Sequence, residues 1–313
     1  MYSYCYFQKE YRKSELYKQE VNIAKGYLAK QEHINDSLDS CPVCKKGQQK
    51  VFFKKWDITY YRCASCFSVF AGIKNEIAEQ YESSPELIDF YCSEDYQRQG
   101  EIARENRWEE IVDWISYRTL RYSRRNRDLF VVDYGNRWKG FRKRIESSSF
   151  SSKYVSVFPP ECEEDIEDNS ADIVMAFDYI QRKINPESFF RKAYDILSKN
   201  GLLFLGLKSG SGMDILLLKD NNTSVFPPEH VIMPSKEGIY MLLEKVGFEV
   251  LEYTTPGMFD VNFVKDNMES LPEEEYFMRY LLSKDNTTID GEFQRFIQKA
   301  GMSSYAQIVA RKR

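Results

Sequence analysis

Two patterns in this chain of 313 residues predict an α/β protein, a doubly wound sheet preceded by a small metal-binding module. Beyond residue 128, short and nearly continuous apolar runs alternate with segments of helical periodicity, as in strands buried on both faces of a parallel sheet. Ahead of them, Cys41 and Cys44 in "CPVC" and Cys63 and Cys66 in "CASC" make two CxxC pairs with 18 residues between them. An apolar fraction of 42% suffices for the core that such a fold needs.

Taken in order, residues 1–37 form an N-terminal unit. The stretch from residue 9 to residue 35 is rich in Lys, Glu, Gln and Leu without proline, which predicts a helix. Residues 38–75 carry the cysteine pairs. Each CxxC suits a tight knuckle, and four thiolates close a tetrahedron around zinc with no position left for water or substrate, so the site is structural. Alternating aromatic-rich segments in "KVFFKKWDITYYRCASCFSVFAG" put the knuckles on short hairpins, a zinc ribbon. The competing reading is four reduced or disulfide-bonded cysteines. Cys5, Cys92 and Cys162 stand alone, without a neighbouring base to make a nucleophile.

Residues 76–127 are a helical connector with Trp108, Ile111, Val112, Trp114 and Ile115 on one face. Residues 128–313 hold the strand runs "LFVVD", "YVSVF", "ADIVMAF", "LLFLGL" and "FEVLEYT", closed by "SSYAQIVARKR". Between them, Asn185 is placed to cap a helix with Pro186 in its first turn and Gly201 at its end. Ser235 is placed to cap another that Gly247 closes. The acidic run "ECEEDIED" (161–168) reads as a solvated loop.

A net charge of −4 and a pI near 5.6 give no global attraction to nucleic acid or anionic lipid. The basic stretch "RTLRYSRRNR" (118–127) reads as a solvated helix end rather than a docking surface, whereas "KKGQQKVFFKKW" (45–56) leaves open a nucleic-acid module at the ribbon, a reading that the acidic chain disfavours. No apolar run is long enough to span a bilayer, and "MYSYCYFQKEYRK" lacks the apolar centre of a signal peptide, so a cytoplasmic protein is expected.

The chemistry concentrates at "VVDYGNRWKGF" (131–141), where a strand ends at Asp133 and runs through Gly135 into a turn. With "ADIVMAFDYIQRKINP", "VFPPEHVIMPSKEGIY" and the closing strand, the order of parts over residues 40–312 resembles bacterial class I S-adenosylmethionine-dependent methyltransferases that carry an N-terminal zinc ribbon. The resemblance implies a Rossmann-like domain, S-adenosylmethionine as cofactor and a place in surface-polysaccharide, other sugar or small-molecule modification. It puts Asp133, Gly135 and Asp178 at the cofactor, although Asp178 also reads as a cap on its strand. It makes His230 the base toward a substrate hydroxyl, with Glu229 fixing its tautomer or binding substrate, although His230 reads equally as a loop histidine hydrogen-bonded to backbone.

Several positions depart from the family pattern. Arg137 and Lys139 stand where glycines would let the cofactor approach the backbone. Phe158 replaces the acid expected on the ribose, Gln181 and Arg182 replace a Glu-His pair, and Tyr305 replaces a histidine. The stretch from Phe158 to Ala171 is short for a third strand and its loop. The sequence therefore predicts an eroded cofactor site and a pseudo-methyltransferase, a scaffold or regulator whose ribbon and N-terminal helix dock a protein partner. The alternatives are an active O-methyltransferase on a sugar or small-molecule hydroxyl, and a fold repurposed for an anionic ligand at Arg137 and Lys139.

Overall fold

The computed structural model describes residues 15–32, 38–123, 125, 128–157, 166–284 and 286–313, the side chains of 103–106 excepted. The expected N-terminal helix is α1 (Glu15–Ala29), which buries Ala24 and Leu28. An antiparallel ribbon follows, made of β1 (Gln49–Lys55), β2 (Ile58–Cys63) and β3 (Val69–Ala71). The connector is three helices, α2 (Asn75–Glu82), α3 (Pro85–Cys92) and α4 (Glu94–Tyr122), the last begun by Ser93, whose hydroxyl accepts from the Tyr96 amide.

The sheet domain contains β4 (Leu129–Tyr134), α5 (Lys139–Glu146), β5 (Ser151–Val157), β6 (Ala171–Phe177), α6 (Pro186–Ile196), β7 (Leu197–Lys208) and α7 (Met213–Leu218). It continues through β8 (Ile232–Met233), α8 (Lys236–Val246), β9 (Phe248–Thr254), α9 (Asp260–Asp266), α10 (Tyr276–Leu282), α11 (Thr287–Lys299) and β10 (Tyr305–Lys312). Its main sheet runs β5-β4-β6-β7-β10-β9, with β5, β4, β6 and β7 parallel and β10 antiparallel to both its neighbours.

Strand residues alternate between two cores, as the period of two requires. Val131, Ile173, Met175 and Phe204 meet Trp108, Ile111 and Ile115 of α4 and Phe141 of α5. Val132, Val174, Leu203 and Leu205 meet Phe190 and Ala193 of α6 and Leu242 and Leu243 of α8. This is the doubly wound α/β arrangement, and it aims the carboxyl ends of β4, β6 and β7 at a common edge, where such sheets bind ligands.

The ribbon is not a satellite. Strand β8, immediately after the PPEH block, pairs antiparallel with β3, and Cys41, Cys63, Cys66 and Phe70 belong to the same hydrophobic core as α6, α8 and the sheet. Gly238 in α8 permits that approach, because a Cβ there would lie 2.3 Å from Ser68 Oγ and 3.0 Å from Val43 Cγ1. The predicted cap of α8 is present: Ser235 Oγ accepts from the Gly238 amide at 2.9 Å, and Gly247 closes the helix at φ +114°.

Other local expectations need correction. Helix α6 stops at Ile196 rather than at Gly201, which lies within β7; the strand register slips between its pairs Ala171–Leu197 and Ile173–Leu202. Asn185 precedes α6 without a side-chain cap, leaving Pro186 to start the helix. The end of α4 is tied down rather than merely solvated, since Arg118 Nε and Tyr122 OH both donate to Glu252 at 2.9 and 2.6 Å. Phe158, His33, Cys5, Cys162 and most of the acidic run lie outside the described residues. Among the described residues no helix is long and apolar enough to cross a membrane.

Candidate cofactor site and metal centre

The two knuckles bring Cys41, Cys44, Cys63 and Cys66 together, with all four sulfurs within 4.8 Å of one another. Cys41 and Cys66 are 3.7 Å apart and Cys44 and Cys63 3.6 Å. A tetrahedron of sulfurs each about 2.3 Å from zinc has edges of about 3.8 Å. These separations fit a four-thiolate metal site and are far too long for disulfides, whose sulfurs lie about 2 Å apart. The amide of Ser65 donates to Cys63 Sγ at 3.3 Å.

At the end of β4 the backbone makes the predicted turn, with Gly135 at φ +75°. What lies against that turn is protein. A Cβ on Gly135 would come within 2.3 Å of Tyr179 Cδ2, so the Tyr179 ring packs directly on the glycine. Tyr179 is held by Tyr134 and Phe189, with ring centroids 5.8 and 5.1 Å away. Trp138 turns the other way and stacks on Tyr96 at 4.4 Å and 9°, filling the seam toward α4. Asp133 is fully buried, and its Oδ2 accepts from Tyr154 OH at 2.7 Å and Asn136 Nδ2 at 2.9 Å. Its Oδ1 is buried without a hydrogen-bond partner.

Arg137 turns inward, with its side chain 10% exposed. Its guanidinium lies 3.9 Å from the centre of the Tyr91 ring, 3.1 Å from Glu229 and 3.6 Å from Glu20 of α1. Arg182 Nε lies 3.1 Å from the same oxygen, Glu229 Oε2, in ion-pair contact without hydrogen-bond alignment, and Arg182 reaches Glu82 of α2 at 3.4 Å, where Lys183 pairs as well. Tyr91 OH lies 2.9 Å from Glu229 Oε1 and 3.0 Å from Glu20 Oε1, its one proton shared between the two carboxylates. Three acids and three cations from five parts of the chain thus neutralise one another beside the turn. The expectation of an anion at Arg137 and Lys139 is corrected accordingly: Arg137 is committed to carboxylates, Lys139 is exposed, and the Lys139 amide donates to Gln97 Oε1.

Glu229 is spent in this network, so the pairing expected between it and the His230 ring is replaced. His230 Nδ1 lies 3.3 Å from the Phe226 carbonyl, and the ring packs edge-on against Phe226. Desolvation holds its pKa down to about 3, with the nearby Lys208 charge adding to the effect. Its neutral ring serves the loop in this conformation. Asp178, at φ +54°, is exposed, and its Oδ1 accepts from Gln181 at 3.1 Å across the 3-10 turn that follows β6. Tyr305 lies against Gly206, where a Cβ would come within 2.2 Å of its hydroxyl. Tyr179, Tyr91, Glu20 and Glu82 were not singled out by sequence; only the aromatic Tyr179, two residues past a strand end, carried a signal.

Burial pushes the Asp133 pKa up to about 6, against hydrogen bonds from Tyr154 and Asn136. The folded form therefore keeps its proton to higher pH than the unfolded one. Its contribution to stability is complete below about pH 4 and is lost as pH rises through about 6. Asp133→Asn is expected to gain on the native protein by up to about 3 kcal/mol between pH 4 and 7.5, read from urea unfolding at both ends. A difference that does not change with pH would contradict it.

Residues 121–253 match the family model described as a methyltransferase domain. No curated protein matches the sequence. Among solved structures, similarity extends to the cyclase SpnF (13% identity, 65% of this chain and 80% of that one, TM-score 0.37). It extends also to a candidate sarcosine dimethylglycine methyltransferase from Galdieria sulphuraria (14%, 65% and 85%, TM-score 0.42). A third is an S-adenosylmethionine dependent methyltransferase from Mesorhizobium loti (10%, 66% and 100%, TM-score 0.37). These overlays are loose, and the family match is the stronger finding.

Proposed function

We propose that this chain, whose residues 121–253 match a methyltransferase-domain family model, keeps that fold while its cofactor turn is closed, and that it works as a pseudo-methyltransferase scaffold or regulator. The observation that carries this reading is the Tyr179 ring on Gly135, backed by the Arg137–Glu229–Arg182 network. A cofactor approaching the turn would have to displace a packed aromatic ring and meet a site whose charges already balance. S-adenosylmethionine does not fit this arrangement. Cys41, Cys44, Cys63 and Cys66 hold structural zinc, which fixes the ribbon within the main core. The partner is a protein that docks on the ribbon and α1, in a bacterial sugar, surface-polysaccharide or small-molecule modification pathway in the cytoplasm.

A second reading rests on Asp133 Oδ1, which is buried with no hydrogen-bond partner and would accept from an amine. On it the chain is an active O-methyltransferase toward a sugar or small-molecule hydroxyl, after Tyr179 swings away. Thermal unfolding separates the two. A ligand at a hundred times its dissociation constant stabilises the folded state by about 2.7 kcal/mol, several degrees for a protein that binds it. Saturating S-adenosylmethionine or S-adenosylhomocysteine is expected to leave the midpoint unchanged; a clear rise would favour the second reading.

A further inference from the structure

The segment between β9 and β10 folds into helices α9, α10 and α11 around its own apolar cluster, in which Val261, Val264, Leu282 and Ile297 meet Met213 and Leu218 of α7. Its outer surface is unusual. Tyr276, Phe277 and Tyr280 on α10 are 74%, 73% and 67% exposed, and Phe296 on α11 is 61% exposed. Next to them is an apolar cleft lined by Met213, Leu217, Met278, Phe293, Phe296 and Met302. Scattered apolar residues on a surface mean little, whereas four exposed aromatics beside a groove of the same character mark a contact surface.

The charges around this patch say what covers it. Exposed Glu273 and Glu274 precede α10, and exposed Lys284 follows it. Two copies of α10 lying antiparallel about a two-fold axis at position 279 bring Glu274 of one copy to Lys284 of the other. The same axis sets Phe277 of one copy opposite Leu281 of the other. Projecting aromatics and an apolar groove on one surface are self-complementary, as an isologous dimer requires. Four such side chains from each copy supply on the order of 1,000 Å2 of buried surface, the lower bound for a specific interface.

We propose that this chain forms a two-fold homodimer through α10 and the adjoining cleft of α7 and α11. The proposal does not depend on whether the chain binds S-adenosylmethionine. Sedimentation equilibrium of the full, metal-loaded chain over about 1 to about 100 μM tests it, in reducing buffer because Cys92 is exposed. The native protein is expected to run as a dimer. Phe277→Asp should weaken dimerisation at least about thirty-fold with circular dichroism and metal content unchanged. Glu274→Lys and Lys284→Glu should each weaken it by about three- to fivefold, and the double exchange should restore it. A native protein that stays monomeric throughout would overturn the proposal. So would a dimer indifferent to Phe277→Asp, or charge exchanges whose effects simply add.

Discussion

Glu229→Ala is expected to destabilise the protein by about 3–5 kcal/mol, because it leaves two buried guanidiniums with one fewer carboxylate between them. The Glu229 side chain is 7% exposed, Arg182 4% and Arg137 10%, so water cannot take over the lost contacts. Tyr91 also loses one of its two acceptors. Because the residues act as one network, the double variant Glu229→Ala, Arg137→Ala should cost clearly less than the sum of its single changes, with a coupling of about 1 kcal/mol or more. Glu292→Ala is the control: its pair with Arg295 is exposed on both sides and contributes at most about 1 kcal/mol. Urea unfolding at pH 7 of the native protein, both single variants, the double variant and the control reads these differences. A loss below about 1 kcal/mol for Glu229→Ala would mean that the network is ornamental.

Removal of the metal should have the larger effect. In a free-standing ribbon, losing zinc would unfold only the ribbon. Here Cys41, Cys63 and Cys66 are wholly buried in the core that also holds Val132, Leu205 and Leu242, and β3 carries β8. Structural zinc is bound with an apparent free energy on the order of 10 kcal/mol, comparable to the entire stability of a domain. Chelation, or Cys63→Ala, is therefore expected to abolish the cooperative unfolding transition of the sheet domain along with that of the ribbon. Cys92→Ser, on an exposed helix end, should change nothing measurable. Calorimetry with metal analysis checks both, one zinc being expected per chain. A sheet domain that melts unchanged after the metal is stripped would contradict the shared core.

Much of this architecture was legible in the sequence because local rules set it. Strands β4, β6 and β7 are buried on both faces, which leaves nearly unbroken apolar runs such as "LFVV" and "LLFLGL". The cysteine spacing predicts the cluster because each knuckle is a local turn. The cap at Ser235 and the stop at Gly247 follow from neighbouring residues alone. Gly201 misled for a related reason: a glycine after an amphipathic stretch signals a helix end, but here it belongs to an irregular start of β7. The short pairing of β3 with β8 had no signal, since two residues of strand carry no periodicity.

The candidate site was legible only in part. Asp133, Gly135, Arg137, Arg182 and Glu229 were visible as a pattern of matches and departures, and all lie around one turn or in the network beside it. Their partners were not visible, because Glu20, Glu82 and Tyr91 come from helices far away in sequence, and a glutamate in a helix reads as a solvated face until the fold shows what it meets. His230 matched the pattern, yet its loop gives its ring to Phe226. A sequence motif fixes which residue is present; packing decides which neighbour takes it.

On the proposed reading, protein side chains close the turn at Gly135 to the cofactor. Isothermal titration of the zinc-loaded native chain with S-adenosylmethionine, beside Tyr179→Ala, tests it most directly. The expected result is no binding tighter than about 1 mM by the native protein, equivalent to about 4 kcal/mol, with binding gained when the Tyr179 ring is removed. Micromolar binding by the native chain, about 8 kcal/mol, would contradict the account and place an active methyltransferase in its stead.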